Sequence, residues 1–450
     1  MILALKKTLG LDRAIIFVLL NRSWTVLAGF ATLYLISTHL NKAEQGFYYT
    51  FSSILALQIF FELGFSGIIA QFASHEMARL HWRGGDLVGD PQARRRLLSL
   101  FRLAIKWYGV ISLLTVLLLN TAGYAFFSNS APQTEVLWRA PWALLTLGAT
   151  LNLFLSPLLA LLEGSGLIAA VSALRLLQSV VAYTAGWIVL LNGGKLYAAA
   201  AISLLTAATG FHWLLRHYAP LLRSLREDLR HGPRDDRISW RDEIWPMQWR
   251  IALSWLSGYF ISQLFTPLAF RYQGSETAGR LGMSLSIVTT LSTVASAWLS
   301  TKLPRFGMLI ADGRRDELRA LFRSSCAQSA AVLLTLHCLF FGLLLAMRQL
   351  DVAFAGRLLA PVELLPLLLA SLASHIVFLQ ASYIRAHKIE LYLKHAIILA
   401  VLISCSSYYL IRHGSVGEML VAYALVCCTV GLGYSSYIYI GFNRKKTMER

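Results

Sequence analysis

The chain has 450 residues, of which 56% are hydrophobic and only 14% are charged. Soluble proteins carry about 25% charged residues, so this composition argues against an ordinary soluble enzyme and indicates a polytopic membrane protein. The net charge of +18 then favours contact with a membrane surface and gives no reason to expect a nucleic-acid partner. Five cysteines without CxxC spacing predict neither a disulfide framework nor a metal site.

Apolar segments of membrane-spanning length recur along the whole chain. A bilayer core requires about 20 apolar residues per helix, and twelve stretches satisfy that length. They lie near residues 15–38, 47–70, 105–127, 140–161, 168–191, 196–215, 248–270, 282–301, 325–346, 362–384, 393–411 and 418–441. The sequence therefore predicts an all-α membrane protein with about twelve transmembrane helices.

The basic residues predict how these spans are oriented. When each Lys and Arg is assigned to its nearer loop, 31 of the 41 fall on one side of the membrane and eight on the other. Because cytoplasmic loops are enriched in Lys and Arg, the more basic side is expected to be cytoplasmic, with both termini on that side. We call it the basic face. The two long connections, 73–104 and 216–247, both lie there.

Similar sequence patterns in the two halves indicate a duplication. The tripeptide LFR occurs at 100–102 before the third span and again at 321–323 before the ninth, and Gly46 and Gly279 begin the second and eighth spans. Six spans per half with unchanged polarity predict a parallel pseudo-repeat of two six-helix lobes. The expected domains are an N-terminal lobe at 1–215, an amphipathic cytoplasmic linker at 216–247 and a C-terminal lobe at 248–450.

The usual catalytic motifs do not occur in the sequence. There is no GxxxxGK phosphate loop, no HExxH zinc motif and no GxSxG nucleophile elbow. We therefore predict no catalytic residues, no cofactor and no enzymatic activity. Architecture of this kind, with two halves around a central cavity, is typical of transporters.

Four ionisable side chains are predicted to lie within the membrane, near its cytoplasmic side. They are Arg22 in span one, Glu62 in span two, Arg175 in span five and Arg250 at the start of span seven. Charged groups inside a bilayer are costly and usually functional. Arginine binds phosphate oxygens in a bidentate manner, so the three arginines are candidate ligands of a pyrophosphate group.

Each of these charges also has a structural interpretation. Glu62 could neutralise Arg22 or Arg175 in a structural ion pair, and Arg250 could simply extend to the membrane surface. Tyr108, near the start of span three, is expected to be an interfacial anchor.

Further polar residues in the spans allow two interpretations. Gln58 and Gln178 either line a polar cavity or bridge neighbouring helices. The candidate ion-coupling groups are Glu62, His337 and His375. Alternatively, the two histidines are packing residues.

Several short segments together resemble a known family. They are EQGFYY at 44–49, FELG at 61–64, QFASHE at 71–76, EGSG at 163–166 with Arg175, EIWPMQWR at 243–250, AGRLG at 278–282 and KLPRFG at 302–307. In these segments the chain resembles the Wzx-type O-antigen and polysaccharide flippases of the multidrug/oligosaccharidyl-lipid/polysaccharide (MOP) exporter superfamily. The resemblance covers nearly the whole length and is loose at any single segment.

The resemblance implies a specific function. It is the flipping of undecaprenyl-pyrophosphate-linked oligosaccharide units across a bacterial inner membrane by alternating access, for O-antigen or other polysaccharide synthesis. A polysaccharide polymerase and a chain-length regulator would be partners beside the lipid-linked glycan and membrane lipid. The alternatives are a small-molecule antiporter of the same superfamily or a lipid-linked glycan polymerase or ligase. The absence of a carboxylate from span one counts against a drug–cation antiporter.

Overall fold

The structure, a computed structural model, describes residues 13–62, 64–132, 134–224, 245–387 and 389–448. In chain order the α-helices are α1 (Arg13–His39), α2 (Lys42–Leu55), α3 (Ile59–Glu62), α4 (Phe65–Glu76), α5 (Pro91–Ser130), α6 (Arg139–Gly164), α7 (Ile168–Leu191), α8 (Tyr197–His217), α9 (Trp245–Ser262), α10 (Phe265–Gln273), α11 (Ser275–Ser300), α12 (Leu303–Ala311), α13 (Arg315–Gln349), α14 (Pro361–Ala386), α15 (Leu393–His413), α16 (Val416–Val426) and α17 (Leu432–Met448). Short 3-10 turns cover Ala56–Gln58, Met77–Arg79 and Ala353–Arg357, and a π turn covers Cys427–Gly431. The strands β1 (Leu80–Arg83) and β2 (Asp86–Gly89) form one antiparallel hairpin.

The helices account for the predicted spans. Within the described residues, ten helical stretches are long and apolar enough to cross a membrane. The second predicted span is an eleventh, divided into two segments that meet at a bend of 46°. The seventh predicted span is covered by two shorter helices, α9 and α10.

The chain divides into two compact units. One comprises the described residues of Met1–Asn41 and Ile54–Trp255, and the other comprises those of Lys42–Ser53 and Leu256–Arg450. Residues 42–53, which are nearly all of α2, thus belong to the second unit, which the sequence did not indicate. Most of the predicted linker, including the end of its amphipathic segment, lies outside the described residues.

Three helix starts and breaks have clear local causes. Helix α5 begins with Pro91 in its first turn, and the Asp90 carboxylate accepts hydrogen bonds from the backbone N–H groups of Gln92 and Ala93, a strong N-cap. The break between α9 and α10 places Pro267 in the first turn of a new helix, where its missing N–H costs no hydrogen bond. Gly64 precedes α4 with a φ of 69°, a conformation that favours glycine.

The first unit has an apolar core around α4, α5 and α6. Fully buried aromatic rings at Phe65, Phe101 and Tyr108 pack there with leucines of α6. Helix α5 has 40 residues, so at 1.5 Å per residue it is about 60 Å long. Because that exceeds the thickness of a bilayer, the helix extends beyond the membrane.

The hairpin at the basic face was not predicted from the sequence. Gly84 and Gly85 have φ values of 56° and 81°, as a tight two-residue hairpin turn requires. The indole Nε1 of Trp82 donates to the backbone oxygen of Ser165 at 2.9 Å. Arg94 forms an ion pair with Asp86 at 3.2 Å. These contacts fix the hairpin to the residue that follows α6 and to the first turns of α5.

In the second unit, two of the segments that carry the family resemblance pack directly against each other. A Cβ atom at Gly46 would lie 1.9 Å from the backbone oxygen of Ser275, and one at Gly282 would lie 2.4 Å from the Cβ of Tyr49. Gln45 is buried, and its Nε2 donates to the backbone oxygens of Gly279 at 2.9 Å and Arg357 at 3.1 Å. The EQGFYY and AGRLG segments therefore form one close helix–helix contact, of the kind that small residues permit in membranes.

Arg357 closes this contact at the loop before α14. Its Nη1 donates to Gln45 Oε1 at 3.4 Å. Burial lowers the pKa of the Arg357 guanidinium, and the negative charges of Glu276 and Glu44 act in the opposite direction. Since the unperturbed arginine pKa is above 12, the side chain stays cationic and holds the loop against α2.

A large residue at Gly46 should separate α2 from α11. We expect Gly46→Leu to destabilise the protein by roughly 1–3 kcal/mol, the usual cost of overpacking a tight contact. Thermal unfolding in detergent measures this change. Gly433→Leu is the control, because no atom lies within 4 Å of a Cβ built there. Equal stability of the two variants would contradict the described packing.

Candidate functional site

Glu62 lies at the bend in the second span, where α3 ends and α4 begins. It is half-buried, and its Oε1 accepts a hydrogen bond from the Ser66 hydroxyl at 2.8 Å. The Ser66 Oγ is also 3.0 Å from the Tyr108 hydroxyl and 3.1 Å from Ser156 Oγ. We call these four residues the Glu62 cluster.

The Glu62 cluster joins four helices that belong to three predicted spans. Glu62 and Ser66 flank the bend, Tyr108 comes from α5 and Ser156 from α6. A carboxylate beside several hydroxyl groups can hold a proton or a small cation, and broken helices often form such sites in transporters. The sequence indicated Glu62, but not the three hydroxyl-bearing residues that surround it.

The expectation for Tyr108 was wrong. It was predicted to anchor the helix at the membrane interface, but its side chain is fully buried in the core of the first unit. The ring stacks on Phe65 with centroids 6.1 Å apart, and the hydroxyl group reaches Ser66. The residue therefore belongs to the interior polar cluster.

Arg175 pairs with a carboxylate that lies outside the predicted spans. Its Nη2 lies 3.0 Å from Oε1 of Glu163, at the end of α6. Half of the Arg175 side chain is exposed, as is 24% of that of Glu163. The alternative in which Glu62 neutralises Arg175 is not what the structure shows.

Arg22 lies on the helix next to the one that carries Arg175. The Ser179 hydroxyl of α7 donates to Oδ1 of Asn21 in α1 at 2.9 Å, which places these helices side by side. Arg22 directly follows Asn21, and Arg175 precedes Ser179 by one helical turn, about 6 Å along the axis. Arg22 is exposed, and within the described ranges it has no ion-pair partner.

The side chain of Arg250 lies outside the described residues, although its backbone belongs to α9. The structure therefore places two of the three predicted arginines on neighbouring helices. The role of all three as ligands of pyrophosphate stays a prediction.

The two glutamines differ in their surroundings. Gln178 is buried, and its Nε2 donates to the backbone oxygen of Thr206 in α8 at 2.9 Å, so it bridges two helices. Gln58 lies in the turn before α3, and its Oε1 is buried without a hydrogen-bond partner among the described residues. Of the two alternatives left open by the sequence, bridging fits Gln178, and for Gln58 both alternatives stay predictions.

The two candidate histidines lie in the second unit. Nε2 of His375 in α14 is 2.8 Å from the Ser329 hydroxyl, which donates to the backbone oxygen of Ala295 at 2.8 Å. His337 in α13 is also buried, and within the described part of the chain its Nε2 has no hydrogen-bond partner. A neutral imidazole nitrogen without a hydrogen-bond donor can accept a proton. The ion-coupling role of His337 and His375 stays a prediction.

No group of His, Cys, Asp and Glu side chains that could hold a metal ion occurs among the described residues.

Comparison with known proteins identifies the fold. No protein-family model matches the chain, and no curated protein matches it. Solved structures do match. One is an inward-facing multidrug resistance MATE family transporter of the MOP superfamily, with a TM-score of 0.55 and 14% identity over 93% of this chain and 99% of the other.

Two further matches are similar in extent. A MOP superfamily transporter from Pyrococcus furiosus, described as having a binding pocket of reverse polarity that suggests a different function, has a TM-score of 0.53 and 14% identity over 96% of this chain and 95% of that one. A MATE protein in complex with MaD5 has a TM-score of 0.53 and 16% identity over 96% of both chains.

Removing the Gln178 bridge should affect stability. Gln178→Leu leaves the Thr206 carbonyl without this donor, so we expect a loss of about 0.6–1.7 kcal/mol, the range measured for hydrogen bonds between membrane helices. Thermal unfolding in detergent is the measurement. Gln328→Leu on the exposed face of α13 is the matched control. A stability unchanged from the original chain would contradict the bridging role.

The chain thus has the fold of the MATE transporters, a predominantly helical membrane fold with twelve transmembrane helices in two lobes in those proteins, and the fold class agrees with the one predicted from the sequence.

Proposed function

We propose that this chain is a membrane transporter that works by alternating access. The observation that carries the proposal is the match to MOP superfamily transporters over more than nine-tenths of the chain. The bent second span supports it, because helices broken beside a charged residue are common at the binding sites of transporters. The excess of basic residues on one face supports an orientation with both termini in the cytoplasm of a bacterial inner membrane.

The first candidate function is antiport of a small molecule. It receives more support from the comparisons than the alternatives, because one matched structure is described as a multidrug resistance transporter. In this function Glu62 would bind the coupling proton. As a carboxylate it accepts the hydrogen bond from Ser66. As a neutral acid it is a weaker acceptor and gains an O–H group that donates, so protonation would change the hydrogen-bond partners of the Ser66 hydroxyl beside the bend.

The second candidate is the flipping of undecaprenyl-pyrophosphate-linked oligosaccharide. A specific observation favours it: Arg22 and Arg175 lie on neighbouring helices, both exposed, and guanidinium groups bind phosphate oxygens well. Span one contains no carboxylate. A lipid-linked glycan polymerase or ligase has no comparable support from the geometry.

A transport assay distinguishes the two candidates. The purified chain is placed in proteoliposomes that contain a pH-sensitive dye, and tetraphenylphosphonium is added outside. Proton movement that depends on the added cation would support antiport.

In parallel, proteoliposomes with an undecaprenyl-pyrophosphate oligosaccharide are treated with an enzyme that reaches only the outer leaflet. Protein-dependent exposure of the glycan would support flipping. Activity in neither assay would contradict both candidates.

If Glu62 couples transport to protons, Glu62→Gln should abolish proton-driven movement of substrate, because the amide cannot take up or release the proton. Exchange of a substrate molecule inside the vesicle for one outside needs no net proton movement, so it should persist. Glu317→Gln is the control. Glu317 lies in α13, and its carboxylate forms an exposed ion pair with Arg314, just before that helix. Proton-driven transport at the original rate in Glu62→Gln would remove Glu62 from the mechanism without affecting the proposed transporter class.

If the substrate carries a pyrophosphate, Arg22→Gln combined with Arg175→Gln should abolish flipping while the protein still inserts and accumulates. Both side chains are exposed, and the one ion pair that is lost is that of Arg175 with Glu163, whose side chain is 24% exposed. The control is Arg348→Gln combined with Arg412→Gln, at helix ends on the opposite face. Unchanged flipping in the first double variant would contradict the assignment of these arginines.

A further inference from the structure

A groove runs along the surface of the first unit, on the face opposite the basic face. It has a volume of about 650 Å³ and lies between the second half of α5 and the start of α6. Its lining consists of Asn120, Thr121, Tyr124, Ala125, Arg139, Ala140, Trp142 and Ala143. None of these residues belongs to the Glu62 cluster or to the arginines considered above.

A single cation is held at the mouth of the groove by aromatic rings. The Arg139 Cζ atom lies 5.2 Å from the ring centroid of Tyr124 and 5.8 Å from that of Trp138, both within the range of cation–π attraction. Arg139 is exposed, and no described carboxylate lies within ion-pair distance of it. The guanidinium is thus oriented by rings that leave its N–H groups available to an anion.

The floor of the groove is rigid and apolar. Trp142 is almost fully buried, and its Nε1 donates to the backbone oxygen of Leu119 at 3.2 Å. A Cβ at Gly123 would lie 2.5 Å from the Trp142 ring, so the indole rests directly on the backbone of α5. Because both the ring and its polar atom are fixed, the shape of the groove does not depend on a mobile side chain.

Beyond the groove, exposed leucines continue towards the middle of the membrane. Leu117 and Leu118 on α5 and Leu144 and Leu147 on α6 are between 38% and 55% exposed. Tyr124 and Arg139 lie near the ends of their spans, at the depth of the lipid headgroups. This surface therefore presents a cation at the depth of the lipid headgroups and the exposed leucines at the depth of the acyl chains.

We propose that this groove binds one anionic phospholipid of the outer leaflet, with its phosphate on Arg139 and an acyl chain along the leucines of α5 and α6. Charge complementarity decides the occupant. The free guanidinium fork matches phosphate oxygens. The remaining lining is mostly apolar, and the side chains of Asn120 and Thr121 donate hydrogen bonds to other groups of α5 and α6. An uncharged sugar would leave the cation without an anion, and a soluble anion would leave the exposed leucines uncovered.

The test is native mass spectrometry of the purified full-length chain with phosphatidylglycerol. We expect one tightly retained phosphatidylglycerol, and Arg139→Gln should weaken its retention by about tenfold, the effect of losing one charge-assisted hydrogen bond. Tyr124→Ala, which removes a ring that orients the guanidinium, should cause a smaller loss. Arg348→Gln is the control, an exposed arginine at the far end of α13 on the same face.

Several outcomes would overturn the proposal. They are equal retention in Arg139→Gln and the original chain, an equal loss in Arg348→Gln, or equal retention of phosphatidylcholine. Preferential retention of a polyprenyl phosphate would also overturn it and assign the groove to the isoprenoid lipid. Arg139 is exposed, so unfolding is not expected in its variant, and an unchanged thermal unfolding temperature verifies that the loss is local.

Discussion

Peptide groups inside a bilayer must find hydrogen-bond partners within the protein, and this requirement limits where the helices of this chain can be interrupted. The second span bends at Gly64, and a hydrogen-bonded carboxylate, Glu62, stands beside the bend. The last span contains a π turn at Cys427–Gly431. There His395 Nε2 lies 2.8 Å from the Gly431 carbonyl oxygen. At both interruptions, polar side chains are concentrated beside an irregular backbone.

This pairing of interruptions with polar groups links the fold to its function. A regular helix presents an inert apolar surface, because its backbone groups are all engaged with one another. An interrupted helix can bind an ion or change its direction, since its hydrogen bonds are shared with side chains that can exchange partners. The Glu62 cluster has this character: a single hydroxyl, that of Ser66, lies within hydrogen-bonding distance of a carboxylate, a phenol and another serine.

The sequence predicted well what depends on hydropathy alone. The spans and their number follow from the length of apolar stretches, because a bilayer imposes one length on each helix. The hairpin was missed, although Gly84-Gly85 between two short strands is a recognisable turn signal. Each strand has only four residues, so hydropathy over the length of a span does not detect them.

The composition of the site was harder to predict. Ser66, Tyr108 and Ser156 come from three helices, and nothing in their local sequence relates them to one another. Arg175 pairs with Glu163, which lies twelve residues earlier and just beyond the predicted fourth span, where a carboxylate carries no membrane-burial signal. Such contacts depend on how helices rotate and pack, and periodicity does not specify that rotation. Local signals therefore located the charged residues, but packing determined their partners.

The exposed pair of Arg175 and Glu163 has a consequence for the choice of substrate. The Glu163 carboxylate contacts Nη2 of Arg175, and the other guanidinium nitrogens face no acceptor from this carboxylate. A phosphate brings more negative charge and more acceptor oxygens than one carboxylate, so it competes effectively with Glu163 for the guanidinium. An organic cation would instead have to compete with Arg175 for Glu163, with Arg22 on the adjacent helix adding repulsion. This part of the first unit is therefore better suited to an anion, and a cationic substrate would have to bind elsewhere, as at Glu62.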